Sequence, residues 1–235
     1  MDTAFATALT DRELFAQKAY VNGQWVSSSS QAKFEVRDKT TDAVMGTCPD
    51  MNTDDLDDAI QAATTALPEW SALGSSSRVR FLQKISLSML SNRADIGQIV
   101  ATETGKPVAE AEAEVAFAAS FFDSLAEKIT REDVIGQSDN LEKAEDTVIV
   151  CAVVVPRELS LAIGARKVAI ALAAGSTAVV LPDARAPFSS NVVAVLSERA
   201  GLPKGVLNVV STLGNTEQLS LALYGSATLG QILLL

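Results

Sequence analysis

Apolar positions along the chain change their period twice. Between Tyr20 and Pro49 they alternate with polar ones. Phe34-Glu35-Val36-Arg37-Asp38 has the period of two expected of a half-buried strand, and Val44 to Cys48 reads as its partner. Tyr20-Val21-Asn22-Gly23-Gln24-Trp25-Val26 sets an Asn-Gly pair between short β-formers, which predicts a hairpin. The polar run Ser27 to Ser30 predicts a loop. From Asn52 to about Lys128 the period lengthens to that of a helix. Leu56, Ile60, Ala63 and Leu67 share one helical face behind a Thr53-Asp54-Asp55 start suited to a helix N-terminus. Val79, Leu82, Ile85 and Met89 repeat the spacing, and Val115, Ala118, Ala119 and Phe122 follow on a helix that begins near Pro107. The charged segment Arg131 to Asp146 reads as a connection or a protruding hairpin.

From Thr147 onward the pattern switches to apolar strands alternating with helices. Val148 to Val155, Ser176 to Leu181 and Val206 to Val210 read as strands. Leu161 to Ala174 and Phe188 to Ala200 read as the helices between them. Near-continuous apolar strands separated by helices predict a parallel sheet covered on both faces. The expected fold is therefore α/β: a Rossmann-like parallel sheet with helices on both faces, preceded by a β hairpin and a helical layer. Residues 1–146 would form the hairpin, helical layer and connecting segment, and residues 147–235 an incomplete coenzyme-type domain. In such sheets ligands bind beyond the C-terminal strand ends.

Composition narrows the function classes. A length of 235 residues, 48% of them hydrophobic, supports a well-buried core. The net charge of −10 argues against a nucleic-acid partner, because phosphate binding needs clustered Lys and Arg. The longest apolar run, Val148 to Pro156, has strand length rather than membrane-spanning length, so no membrane partner is expected. Met1 to Gln17 carries Asp2, Asp11 and Glu13 and does not read as a leader. Two cysteines, Cys48 and Cys151, and no histidine leave neither a zinc pattern nor a disulfide framework, and a cytoplasmic setting is expected. Cys151 lies in an apolar strand and reads as a core residue, while Cys48 precedes Pro49 in a loop-like stretch.

Several words in the chain, in order, resemble the aldehyde dehydrogenases. Ala19 to Val26 is similar to that family's opening hairpin, and Thr102-Glu103-Thr104-Gly105-Lys106-Pro107 to its Glu-x-Gly-Lys-Pro turn. Glu114-Val115-Ala116-Phe117-Ala118-Ala119-Ser120-Phe121 resembles the succinate-semialdehyde dehydrogenase branch. Ala162 to Thr177, Leu181-Pro182 and Gly201 to Val210 resemble the coenzyme domain. The resemblance implies a small aldehyde as substrate, NAD or NADP as cofactor, and oxidation through a thiolate nucleophile and a carboxylate base. It also implies that both of those groups come from sequence beyond Leu235.

The family's ligand-binding words can be carried over position by position. After the strand ending Val154-Val155, the family's Pro-Trp-Asn-Phe-Pro stands here as Pro156-Arg157-Glu158-Leu159-Ser160. The resemblance makes that Asn an oxyanion donor, and Glu158 in its place brings negative charge and no donor. Losing such a donor costs about 10²–10³ in rate; the residue otherwise reads as a solvated loop carboxylate. The ribose-binding Lys-Pro-x-Glu stands as Leu181-Pro182-Asp183-Ala184, without the ammonium or the carboxylate. Asp183, beside the vacated place, is expected to be an exposed loop acid or a cap ahead of Ala186-Pro187. Gly225-Ser226, with Leu229 behind it, matches in part the family's Phe-Thr-Gly-Ser, where a strand meets a helix N-terminus facing the pyrophosphate. Without that likeness it would read as a helix N-cap. Arg166 matches an Arg that in the succinate-semialdehyde branch holds the substrate carboxylate; its alternative is a surface or ion-paired helix arginine. The final run Gln231 to Leu235 is expected to open a helix and gives the chain the look of a truncated product.

Three functions stay open at this level. One is an aldehyde oxidoreductase completed by a second chain. Another is a non-catalytic nucleotide-binding or interaction module that associates with itself or with a full-length relative. The last is a truncated, inactive product.

Overall fold

The computed structural model describes residues 4–135, 148–226 and 229–233. A short helix, α1 (Ala4–Ala8), and a single 3-10 turn at Arg12–Leu14 lead into the hairpin β1 (Ala19–Val21) and β2 (Gln24–Val26). Its turn uses the Asn-Gly pair as the sequence suggests: Asn22 and Gly23 have φ of 51° and 71°, the left-handed pair of a tight hairpin. The pair β3 (Lys33–Arg37) and β4 (Val44–Pro49) forms a separate two-stranded antiparallel sheet with an irregularity at Val36/Arg37. Cys48, expected in a loop, lies in β4 and is buried.

Four helices follow: α2 (Thr53–Ser71), α3 (Ser75–Ser91), α4 (Arg93–Thr104) and α5 (Val108–Ile135). The α2 start is a capping box one residue earlier than the sequence suggested. The Asn52 side chain accepts from Asp55 N–H, and the Asp55 carboxylate accepts from Asn52 N–H. The same Asp55 accepts from the Ser28 hydroxyl, which buries part of the supposed Ser27 to Ser30 loop. Helix α4 was not resolved by apolar spacing, because its inward face alternates Ile96, Ile99 and Val100 with Gly97 and Ala101. Gly105, at φ 78°, ends α4 in the left-handed conformation, and α5 begins just after Pro107. A Cβ at Gly105 would also strike the Lys39 side chain at 2.8 Å. Residues 131–135, expected in a connection, are the last turn of α5; the rest of that segment, 136–146, lies outside the described residues.

The C-terminal part runs β5 (Val150–Val155), α6 (Ser160–Ala173), β6 (Thr177–Pro182), α7 (Phe188–Ala200), β7 (Leu207–Val209), α8 (Thr216–Gly225) and β8 (Leu229–Leu233). One sheet takes the order β2-β1-β7-β6-β5-β8. Its β7, β6, β5 and β8 strands are parallel, and β1 joins β7 antiparallel, Tyr20 opposite Val209. The hairpin thus extends the main sheet. Asn208 of β7 secures it: its side-chain oxygen accepts from Asn22 N–H at 2.9 Å while its amide donates to Gly205 O at 2.7 Å.

Side chains alternate between two buried cores, one on each sheet face. Val150, Ala152, Val179, Leu181 and Val210 face α2 and α8 through Leu56, Ile60 and Leu219. Cys151, Val153, Val155, Ala178 and Val180 belong to the larger core with α3 to α7. Full burial of each Leu, Ile or Phe side chain contributes about 1.5–3 kcal/mol. The parallel sheet with helices on both faces and an added helical layer is the architecture expected from the sequence. Among the described residues no helix is long and apolar enough to cross a membrane.

Candidate functional site

The C-terminal ends of β5 and β6 lie side by side, Val155 opposite Pro182, and Asp183 N–H donates to Val155 O at 2.9 Å. The two loops leaving these strands form the corner where this sheet type places its ligands. From β5 the chain passes through Pro156 and Arg157 to exposed Glu158 and Leu159, the latter at φ 53°, a strained value for a side chain branched beyond Cβ. The carbonyl of Val154 accepts from the buried Lys167 ammonium at 2.8 Å, fixing α6 to the strand end. Desolvation lowers the Lys167 pKa.

From β6 the chain passes through Asp183 to α7. Asp183 is neither a free loop acid nor a helix cap. Its carboxylate holds the Arg185 guanidinium in a two-pronged pair at 2.9 and 2.7 Å and also accepts Arg185 N–H. That hydrogen bonding holds the Asp183 carboxyl below the usual range, and the Arg157 charge adds to it. A cleft of about 270 Å³ separates these loops from the β3–β4 pair, with Arg37, Lys39, Glu103, Arg157 and Arg185 among its walls.

Behind the corner lies a buried polar network that sequence reasoning did not single out. Glu103, at the end of α4 and 1% exposed, accepts from Phe188 N–H at 2.5 Å, Ser189 N–H at 3.0 Å and the Ser189 hydroxyl at 2.5 Å. Glu114 of α5 accepts from Ala162 N–H at 3.1 Å and pairs with the Lys106 ammonium. The Ser160 hydroxyl donates to Ser189 at 3.1 Å and so joins the starts of α6 and α7. Burial pushes the Glu103 pKa up to about 8 against the pull of its three donors, with the nearby Glu114 adding to the rise. A signal existed for Glu114. It sits beside Val115 on the Ala111–Val115–Ala118–Phe122 stripe, where a solvated carboxylate has no place.

The sequence-picked residues do not all meet. Val154, Val155, Pro156, Glu158, Leu181 and Pro182 share the corner, but Gly225, Ser226 and Leu229 do not. Gly225 ends α8, Ser226 is extended, and the next element among the described residues is β8 rather than a helix. Leu229 pairs with Val150, at the opposite end of β5 from Val155. At 3.3 Å per residue that is roughly 17 Å from the ligand end. The physical reason is connection length: residues 216–225 are spent on the crossover helix, and the next strand can start only after them. The Gln231 to Leu235 run, expected to open a helix, is strand as far as Leu233; residues 234–235 lie outside the described set. Arg166 stands on the exposed face of α6, its guanidinium 5.9 Å from the Phe121 ring centroid.

A dinucleotide's adenosine ribose does not fit the polar groups of this corner. Leu181 is 3% exposed and packs in the α2/α8 core, Ala184 offers no polar atom, and Asp183 is already engaged by Arg185. Neither Leu181 nor Ala184, which stand at the positions of the family's ammonium and carboxylate, offers a polar side-chain atom to a ribose.

The fold and the position of its ligand corner define a doubly wound, coenzyme-type α/β protein. Residues 25–230 match the family model for the aldehyde dehydrogenase family, and the chain belongs to that family, whose members use NAD(P). It is 35% identical over 240 aligned positions to a glutarate-semialdehyde dehydrogenase of Pseudomonas putida, covering 96% of this chain and 50% of that protein. It is 35% identical over 210 positions to the NADP(+) succinate-semialdehyde dehydrogenase of Escherichia coli, covering 86% and 43%. The crystal structure of succinate-semialdehyde dehydrogenase from Burkholderia pseudomallei superposes with a TM-score of 0.87 at 35% identity, over 96% of this chain and 47% of that one. The chain spans about half the length of the relatives it matches.

Proposed function

We propose that the chain is the coenzyme-side scaffold of a semialdehyde-dehydrogenase-type protein and does not oxidise an aldehyde by itself. The observation that carries this reading is the state of its thiols. Both cysteines are buried: burial pushes the Cys48 thiol well above its ordinary range, and it raises Cys151 as well. A thiol without water contact and with a raised pKa is a poor nucleophile. Glu158 at the oxyanion-donor position, and Leu181 and Ala184 at the ribose-binding positions, agree with it.

A second reading, a catalyst completed by another copy or a full-length relative in the cytoplasm, draws on Arg166. Its exposed guanidinium over Phe121 suits the carboxylate of a semialdehyde such as succinate semialdehyde, with NAD or NADP bound elsewhere. The deciding assay mixes the purified chain with succinate or glutarate semialdehyde and NAD⁺ or NADP⁺, with and without a full-length relative, and follows nicotinamide reduction. The expected result for the chain alone is no turnover and no thermal shift with either dinucleotide. A coenzyme bound at one hundred times its dissociation constant would add about 2.7 kcal/mol. Turnover by the chain alone would sink the first reading; turnover above that of the relative by itself would establish the second.

A further inference from the structure

We propose that Glu114 and Glu103 are positioning residues whose carboxyl groups cap the N-termini of α6 and α7 from inside the fold, so that neither end is open to a phosphate. The first N–H groups of a helix have no acceptor within the helix, and its dipole favours negative charge there. In a doubly wound sheet, the helices that follow adjacent strands aim these ends at the ligand corner, which is where phosphates settle.

Neither α6 nor α7 is capped by its own flanking residue. The preceding residues are Leu159 and Pro187, and neither supplies a side-chain cap. The acceptors come instead from the helical layer, about fifty residues or more away in sequence. Glu114 takes Ala162 N–H of α6; Glu103 takes Phe188 N–H and Ser189 N–H of α7. Both carboxylates are buried, at 5% and 1% exposure, so they leave no room for a second anion on the same amides. Their partners differ. Lys106 pairs with Glu114, whereas among the described residues the Glu103 carboxyl is met by α7 donors alone. The Ser160–Ser189 link makes the two ends one unit, and that unit fixes α6 and α7 against α4 and α5.

Because Glu103 also forms part of the wall of the 270 Å³ cleft, removing its side chain opens a route for a small anion to reach the α7 amides. The test therefore uses Glu103→Ala and formate. The variant should melt lower than the unaltered protein, and formate should raise its melting temperature by several degrees more than chloride at matched ionic strength. The unaltered protein should show no formate-specific shift. A loss of packing alone would not respond to formate, so a folded variant that formate leaves unchanged overturns the proposal. The second arm uses the unaltered chain and is decisive even where the variant does not fold. Amide NMR signals of Ala162, Phe188 and Ser189 are followed during titration with phosphate and with pyrophosphate. They should stay in place, and phosphate-dependent shifts at these amides overturn the proposal. Dinucleotide binding that leaves these amides unmoved would mean that the corner accepts a ribose without Leu181 or Ala184 contributing, and would still leave the internal caps standing.

Discussion

Two regions of the molecule meet at the ligand corner and are built on opposite principles. Behind it, Glu103, Glu114, Ser160 and Ser189 are buried with half-buried Lys106 beside them, and each carboxyl is hydrogen-bonded to a helix start from a distant element. In front of it, Asp183 and Arg185 pair with each other two residues apart, and Glu158 is exposed. The network side keeps the family's words around Glu103 and Glu114, while the strand ends in front depart from them at Glu158, Leu181 and Ala184. The contrast teaches that groups holding helices in place are constrained by the fold itself. A buried carboxylate without its donors costs several kcal/mol, whereas a loop group that serves only a ligand can change at little cost to stability.

The sharpest way to break that contrast is Glu114→Ala. It leaves the Lys106 ammonium and Ala162 N–H without their acceptor, and should cost about 3–5 kcal/mol in denaturant unfolding. A loss under 1 kcal/mol would place the network on the same footing as the exposed loop.

Leu181→Lys comes next. It supplies the ammonium that the family's ribose contact uses, but at a position packed against the α2/α8 core. The expected result is a loss of about 2–4 kcal/mol with no dinucleotide-dependent thermal shift. A gained shift would show that the corner is one residue away from coenzyme binding.

The pH dependence separates the two sides further. The folded-state pKa of Glu103 is raised from 4.5 to about 8, so the folded state holds this proton over a range in which the unfolded chain has released it. Its contribution to stability is therefore full below about pH 4.5 and is lost as the pH rises through about 8. Cys48, Glu114 and the cleft cations Arg157 and Arg185 surround the same group. Glu103→Gln should flatten the change of melting temperature over that window; an unchanged slope would show that Glu103 does not carry it.

The smallest effect is expected from Arg185→Ala. The side chain is mostly exposed, and removing its pair with Asp183 should shift stability by about 0–1 kcal/mol. A larger loss would mean that the front of the corner also carries the fold.

Much of the architecture was legible in the chain. The Asn22-Gly23 turn, the period-two pair at 34–48, α2, α3 and α7 follow from local spacing and turn chemistry, and α7 has the expected limits of Phe188 and Ala200. The core side of Cys151 was readable from the apolar run around it. Helices α4 and α8 were not individually visible, since α4 breaks its apolar face with Gly97 and α8 lies in the stretch expected to precede a strand–helix turn. At the site, the residues picked on the β5 and β6 ends lie together at one corner. Gly225, Ser226 and Leu229 do not, because the side of a sheet a residue occupies depends on how many residues the preceding crossover consumes.

By itself the sequence determined the class of layers, the family, the burial of the Cys151 thiol in apolar surroundings and the loss of the ribose-binding residue types. All of these are properties of short windows, in which side-chain type and spacing act over one or two turns. Only the tertiary structure decided that Glu103 and Glu114 end on the α7 and α6 amides, that Asp183 is consumed by Arg185, and that Gly225 lies at the far end of the sheet. Those outcomes depend on which distant elements pack together. A carboxylate carries no mark of the helix end it will meet until burial removes water as the alternative partner.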